Sequence, residues 1–440
     1  MVRTTAKRIF SVIVILAMMI VLSFGCNYLF VDDVYSITRV MMHELYEDEN
    51  IDVLFLGASL VYSGIDPVIV GNGIDKNTFV GSSSAQPADA SLAVLKEAVK
   101  THQIQEVWYN AAHASSLMTY RAEDRTDLMD VHLISDYMHF NANRISLLLN
   151  ASSPAHYMSG FFPAVRYRNK VLDMDYLKTL WSRKHSEAYQ TYGYDWLIKQ
   201  DQKYAGKGYA PSEGTVDSGM FYTEFGNSPF EKSEISETWK NDVINMIRIC
   251  RENNIRFVLF GMPMTDYILS AIGNYDEYIA YFSSFARDNN VEFVDFNLLS
   301  QEVFPKEQSF FKDAHHLNRT GAEAFSRVLA EYMTGRIPDT AFVSSVSGKL
   351  EAKEPCYYGI CLTDTEDTRT MRLVANHPEQ FEFRIELTPE DGSARLLQDF
   401  GPNEVFAVPR EESGIITVTY RIRGGTPVKI ESSYGPDIRR

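Results

Sequence analysis

Short apolar runs that end on glycine, serine or a polar loop, alternating with stretches of helical periodicity, constrain this chain more than any other feature. Ile51 to Leu56 is a compact apolar run that ends in Gly57-Ala-Ser59, and Thr78 to Val80, Glu106 to Asn110, Ile255 to Phe260 and Val291 to Asp295 repeat the pattern. Runs this short and this apolar read as strands buried on both faces. Between them, Asp66-Pro67 offers an N-cap with proline at the first helical position, and Ala88 to Thr101, Val243 to Glu252 and Tyr275 to Asn289 have helical periodicity. Strands joined through helices run parallel, and a parallel sheet needs helices on both faces. The expected fold class is α/β, a three-layer parallel-sheet domain.

The alternation lapses between residues 114 and 239 into polar and aromatic sequence with helical pieces, Asp136 to Leu149 and Met174 to Arg183. This predicts a long helical insert carried above the sheet. Its Phe161, Phe162, Arg166, Tyr167 and Arg168 either line a cleft or a partner surface, or form the insert's own core, which suits most of them. Beyond Pro338, runs of period two such as Phe381 to Leu387 and Ile415 to Ile422 are separated by Gly and Asp turns. That predicts a small antiparallel β-sandwich over 338–440.

Ile9 to Val31 is almost wholly apolar, and its 23 residues, at about 1.5 Å of helical rise each, suffice to cross a hydrocarbon core of about 30 Å. Arg3, Lys7 and Arg8 precede it and Asp32 and Asp33 follow, so the N-terminus is expected in the cytoplasm and everything after residue 33 outside. Ser23-Phe24-Gly25 also suits a cleaved signal peptide, and Cys26 a lipoprotein cleavage for which Ser23 is a poor fit. All three readings export the protein, and the uncleaved anchor is preferred because the run continues through Val31. The expected layout is 1–33 cytoplasmic tip and anchor, 34–50 a helical stalk, 51–337 the α/β domain with its 114–239 insert, and 338–440 the sandwich.

A net charge of −16 leaves no broad surface for a phosphate backbone, so nucleic acid is not an expected partner. Of four cysteines, no spacing suits zinc; Cys356 and Cys361 either bridge or remain free thiols in neighbouring strands.

Two segments carry chemistry. Ser59 follows a buried strand, at the edge where open α/β sheets place their ligands, and Gly57 lets the chain turn sharply before it. The second segment is Asp313-Ala-His315-His316-Leu-Asn318-Arg-Thr-Gly321-Ala, leading into a helix from Ala322 to Met333 that Thr320 and Glu323 would cap. His316 would take the proton of Ser59, and Asp313 would hold the imidazole tautomer. His315 beside His316 hints at a metal, but no second cluster at ligand spacing accompanies it, so it is read as structural, with no metal or cofactor expected.

These two segments together resemble the SGNH (GDSL-like) hydrolase family, over roughly residues 51–336 apart from the insert. The resemblance implies a flavodoxin-like three-layer domain, a catalytic set of Ser59, Asp313 and His316, and an oxyanion hole built from Gly81 and Asn110. The family's usual Gly-x-Asn-Asp is absent, because Asn110 stands in Trp-Tyr-Asn-Ala-Ala-His113; Gln86 and His113 are alternative donors. The Asp-x-x-His-Leu-Asn-x-x-Gly-Ala pattern looks most like membrane-tethered members of bacterial envelopes, related to polysaccharide O-acetyltransferases and the teichoic-acid D-alanyl transfer protein. That likeness implies an esterase or O-acyltransferase acting on a cell-envelope glycan, polymer or lipid-linked substrate, with a membrane-bound acyltransferase as partner. Its rivals are a non-catalytic glycan-binding or assembly protein and a lipase or thioesterase.

Overall fold

The computed structural model describes residues 2–435 apart from 32, 35, 112–127, 171, 195–196, 200–201, 217–220, 224–228, 365–368, 391 and 410. Helices α1 (Val2–Phe30) and α2 (Ile37–Glu47) precede β1 (Val53–Leu56), α3 (Ser59–Gly64), α4 (Pro67–Ile74), β2 (Thr78–Val80), α5 (Ala88–Thr101) and β3 (Glu106–Asn110). The insert then contributes α6 (Met129–Ser135), α7 (Ala142–Ala151), α8 (Tyr157–Phe161), α9 (Pro163–Arg166), α10 (Met174–Lys184) and α11 (Glu187–Gln190), with short strands β4 (Ile198–Lys199), β5 (Gln202–Lys203) and β6 (Phe221–Thr223). The core resumes with α12 (Glu237–Glu252), β7 (Arg256–Gly261), α13 (Asp266–Ile272), α14 (Tyr275–Asp288), β8 (Glu292–Asp295), α15 (Arg319–Met333) and α16 (Val346–Glu351).

The main sheet has the order β2-β1-β3-β7-β8, with all neighbours parallel. Its central strands are apolar throughout because both faces are covered: Val53, Leu54, Phe55 and Leu56 are all fully buried. Right-handed crossovers, the rule for parallel units, put α4 on one face and α5, α12 and α14 on the other. Accordingly α15 packs on α3 and α4, while α5 packs on α12. The chain winds one way from β1 to β2 and the other way through β3, so the carboxyl ends of β1 and β3 flank the switch point, where such sheets bind ligands. Asp66 caps α4 as its sequence predicts, accepting the N–H groups of Val68 and Ile69.

The stretch expected to be a stalk is instead part of the core. In α2, Val40, Met41, Met42 and Leu45 are buried in the main cluster, because that face of the helix is apolar and lies against the domain. Its polar side is tied down as well, with Glu44 accepting the Tyr204 hydroxyl and the Lys207 N–H (2.8 Å).

The second layer system begins at Tyr357, later than the expected 338. Ile337, Ala341, Val346 and Leu350 belong to the main core, and Lys349 donates to the carbonyls of Asn297 (3.0 Å) and Leu299. Strands β9 (Tyr357–Asp364), β10 (Arg369–Ala375), β11 (Phe381–Pro389), β12 (Arg395–Gly401), β13 (Val405–Val408), β14 (Gly414–Ile422) and β15 (Val428–Tyr434) follow. They form two four-stranded sheets, β13-β10-β9-β6 and β12-β11-β14-β15, around one shared apolar cluster. The first sheet is closed by β6 from the insert, which pairs with β9 in parallel. Local periodicity cannot show a pairing made across more than a hundred residues, so the insert reads as helical in sequence while one of its strands completes a distant sheet.

None of the four cysteines forms a disulfide; Cys361 is buried in β9 opposite Arg372, and Cys356 stands exposed. Among the described residues no helix is long and apolar enough to cross a membrane. The side chains of α1 are described at 10–15, 18, 21–22 and 25–30.

Candidate active site

The nucleophile segment is shaped by its backbone. Gly57 has φ +154°, and a Cβ there would stand 2.6 Å from Val61 Cγ2 and 3.0 Å from Asn110 Cβ, so only glycine passes between α3 and β3. The chain turns there and starts α3 at Ser59, half-buried at the sheet's carboxyl edge. As the first residue of a helix, Ser59 has an N–H with no acceptor inside that helix.

The second segment arrives from the far end of the domain. Asp313 Oδ1 accepts the backbone N–H groups of His315 (2.9 Å) and His316 (2.8 Å), an Asx turn that folds the His316 ring back over its own carboxylate. His316 Nδ1 lies 2.9 Å from both Asp313 oxygens, and His316 Nε2 lies 2.8 Å from Ser59 Oγ. Burial alone would raise the Asp313 carboxyl, but the hydrogen bond and charge of His316 and the two backbone N–H groups outweigh it. The group is held well below the usual carboxylate range, so it stays ionised opposite the imidazole. The structure thus brings Ser59, His316 and Asp313 into one hydrogen-bonded line across a separation of 257 residues in sequence.

What holds the Asp313 loop was misread from sequence. Helix α15 begins at Arg319, with Asn318 as its N-cap accepting from Gly321 (3.0 Å), so Thr320 lies inside the helix and forms no capping box. Asn318 reaches the Gly321 N–H first, and its amide also donates to the carbonyls of Gly214 (2.8 Å) and Ser309 (2.7 Å). Thr265, unnoticed in sequence, donates to the Ala314 carbonyl at 2.7 Å while capping α13, a role its position before an apolar helical run could have signalled. The insert's return limb closes the clasp, with Arg319 N–H donating to Ser212, Val216 N–H to Phe311, and Ala210 N–H to Tyr62.

Gly321 allows this loop to lie close to α15: a Cβ there would be 2.1 Å from the Phe310 carbonyl oxygen, a backbone atom that cannot swing aside. Gly321→Ala is expected to destabilise the protein by about 1–3 kcal/mol, as overpacking does. A denaturant midpoint indistinguishable from wild type would contradict this packing.

The expected oxyanion donors fare differently. Gly81 is not poised as one: its N–H donates to the Phe55 carbonyl at 2.8 Å, extending the β1–β2 ladder. The glycine is needed for packing, since a Cβ would meet Val94 at 2.9 Å, Leu56 at 3.1 Å and Leu54 at 3.2 Å. Asn110 does reach the site, beside Gly57, but one of its amide hydrogens goes to the Phe260 carbonyl (3.1 Å). A carboxamide nitrogen carries a second. Gln86 uses its amide on the Gly81 carbonyl and Ser91 (both 3.0 Å), which makes it a brace for the loop after β2. His113 lies outside the described residues. His315 packs its ring against His316 with centroids 6.4 Å apart, and among the described residues no group of three His, Cys, Asp or Glu side chains could hold a metal.

No protein-family model matches the chain, and no curated protein matches it. The solved structures that resemble it distantly include two from Bacteroides species. One is a proposed acylhydrolase from Bacteroides fragilis, 12% identical with a TM-score of 0.32, covering 67% of this chain and 94% of that one. The other is a GDSL-like lipase from Bacteroides thetaiotaomicron, 10% identical with a TM-score of 0.30, covering 69% of this chain and 100% of that one. At TM-scores this low the likeness does not bear on function.

Proposed function

We propose that this chain is a serine acyl hydrolase or acyltransferase of the SGNH type, working through an acyl-Ser59 intermediate. The observation that carries the reading is the 2.8 Å contact of His316 Nε2 with Ser59 Oγ, continued at 2.9 Å to an ionised Asp313. As Oγ attacks an acyl carbonyl, His316 takes its proton and Asp313 stabilises the imidazolium. The same proton goes to the departing alcohol, leaving the acyl group on Ser59. Water or a carbohydrate hydroxyl then gives its proton to His316 as it attacks the acyl carbon, and His316 returns that proton to Ser59 Oγ as the acyl–Oγ bond breaks. The Ser59 N–H and the second amide hydrogen of Asn110 are the donors available for the oxyanion.

The apolar Ile9 to Val31 segment supports reading α1 as a membrane anchor with the domains outside. A tethered enzyme suits a cell-envelope glycan, polymer or lipid-linked acceptor, and acyl transfer alongside a membrane-bound acyltransferase. The engagement of Gly81 in the ladder favours a second reading, a glycan-binding or assembly protein that keeps the triad's geometry without its turnover.

A fluorophosphonate probe applied to the detergent-solubilised protein separates the two. Stoichiometric labelling on the peptide containing Ser59 is expected. A folded protein that stays unlabelled would favour the binding role.

A further inference from the structure

The C-terminal end of α1 is fixed to the insert by a buried ion network. Asp33, just past the helix, lies 2.9 Å from Lys184 Nζ and accepts the Tyr189 hydroxyl at 3.0 and 3.1 Å, with Arg39 at 3.8 Å. Arg39 stacks over the Tyr189 ring, 3.6 Å from its centroid, and Lys184 also donates to the Tyr28 carbonyl. Val34, Leu180 and Tyr189 form an apolar cluster beside it. Removing one partner from such a network strands a buried charge, so the direction in which α1 leaves the domain is set by the insert.

Helix α1 runs beside α9 and α10, and its described side chains from Phe10 to Leu22 are largely exposed and apolar. That exposure continues onto the insert, where Leu172 is 91%, Met174 59% and Trp181 53% exposed. Met174, Lys178 and Trp181 stand at i, i+4 and i+7 of α10 and so share a face. Arg168, Lys170, Lys178 and Arg183 outnumber Asp173 and Asp175 in the same stretch of a chain whose net charge is −16, with Lys178 lying 3.8 Å from Asp175. Exposed apolar side chains and a tryptophan in a mainly basic stretch, on a helix that packs against an apolar one, form the composition of an element lying in a bilayer interface.

We propose that Leu172, Met174 and Trp181 rest in the membrane interface at the foot of α1, giving the domain a second, shallow attachment. This rests on the reading of α1 as an anchor. With α1 fixed to the insert, a single helix still lets the protein tilt as one body in the bilayer, whereas a second contact limits that tilt and so holds the height and facing of the Ser59 edge.

Tryptophan quenching by brominated acyl chains tests it, on the full chain reconstituted in phosphatidylglycerol vesicles. The chain has four tryptophans and none in α1, and Trp108 and Trp239 are buried in the core. Wild type is expected to float with the vesicles and lose emission to the brominated lipid, and Trp181→Phe to float equally while losing that quenched component. Flotation of both with the same quenching, or with none, overturns the interfacial contact and gives the face to a protein partner or a second copy. Failure to float overturns the anchor itself, and the proposal with it.

Discussion

Ser59→Ala is expected to lower kcat for a probe ester such as p-nitrophenyl acetate by about 10⁶-fold, with His316→Ala doing the same and the double variant scarcely worse than either. The non-additivity is the informative part. Nε2 and Oγ meet at 2.8 Å, and in the proposed step they exchange one proton, so neither group has a use in it without the other. The fold should not change with the serine variant, because the bond made here by Ser63 goes to the Ser59 backbone carbonyl (2.7 Å), which alanine retains. Circular dichroism and the denaturant midpoint check that. Effects of Ser59→Ala and His316→Ala that multiply in the double variant, or hydrolysis by Ser59→Ala at the wild-type rate, would place the esterase chemistry elsewhere.

The juxtaposition of Ser59, His316 and Asp313 was legible in the sequence to the extent that residue type and local pattern suggest it. A serine after an apolar strand and an Asp-x-x-His before a helix are local patterns, and the strand order seen in the structure puts the serine at the switch point between β1 and β3. The oxyanion hole was not legible in the same way. Whether a backbone N–H faces a ligand or a neighbouring strand depends on how far the ladder continues. Here β1 and β2 extend their bonding one residue past Val80 and take the Gly81 N–H with them. Gly81 is a glycine for a different reason, the crowding of Val94 and Leu56.

Elements whose role depends on distant partners were misread in a consistent direction, toward independence. Tyr35 to Glu47 looks detached because it is short and follows an apolar run, yet the apolar face of α2 is complementary to the domain and disappears into it. The insert's Phe221–Thr223 is made of strand-favouring residues but is only 3 residues long, too short to read as a strand until β9 pairs with it. The same holds for Thr320, a good capping residue overtaken by Asn318, whose carboxamide also ties Gly214 and Ser309 and so serves three segments at once. Propensity sets what a residue can do, and the number of partners within reach decides which candidate is used.

Asp313→Asn separates the two tasks of that carboxylate. The asparagine oxygen can still accept the His315 and His316 N–H groups, which lie at 2.9 and 2.8 Å, so the turn is expected to persist. Its amide nitrogen, however, would donate to His316 Nδ1 and force the proton onto Nε2, the atom that must accept from Ser59. In serine hydrolases with this geometry the wrong tautomer lowers kcat by about 10⁴-fold, and a loss of that size with little change in KM is expected here. Stability should respond differently. The Asp313 carboxyl titrates lower in the folded chain than in the unfolded one, so the carboxylate stabilises the fold above the ordinary carboxylate range and that contribution disappears as pH falls through the folded value. Wild type is therefore expected to lose stability on acidification below about pH 5 more steeply than Asp313→Asn, which has no such proton to bind. Parallel pH–stability curves for the two proteins would mean the carboxylate is not held by His316 as the geometry indicates, and an unchanged kcat would mean the imidazole does not depend on it for its tautomer.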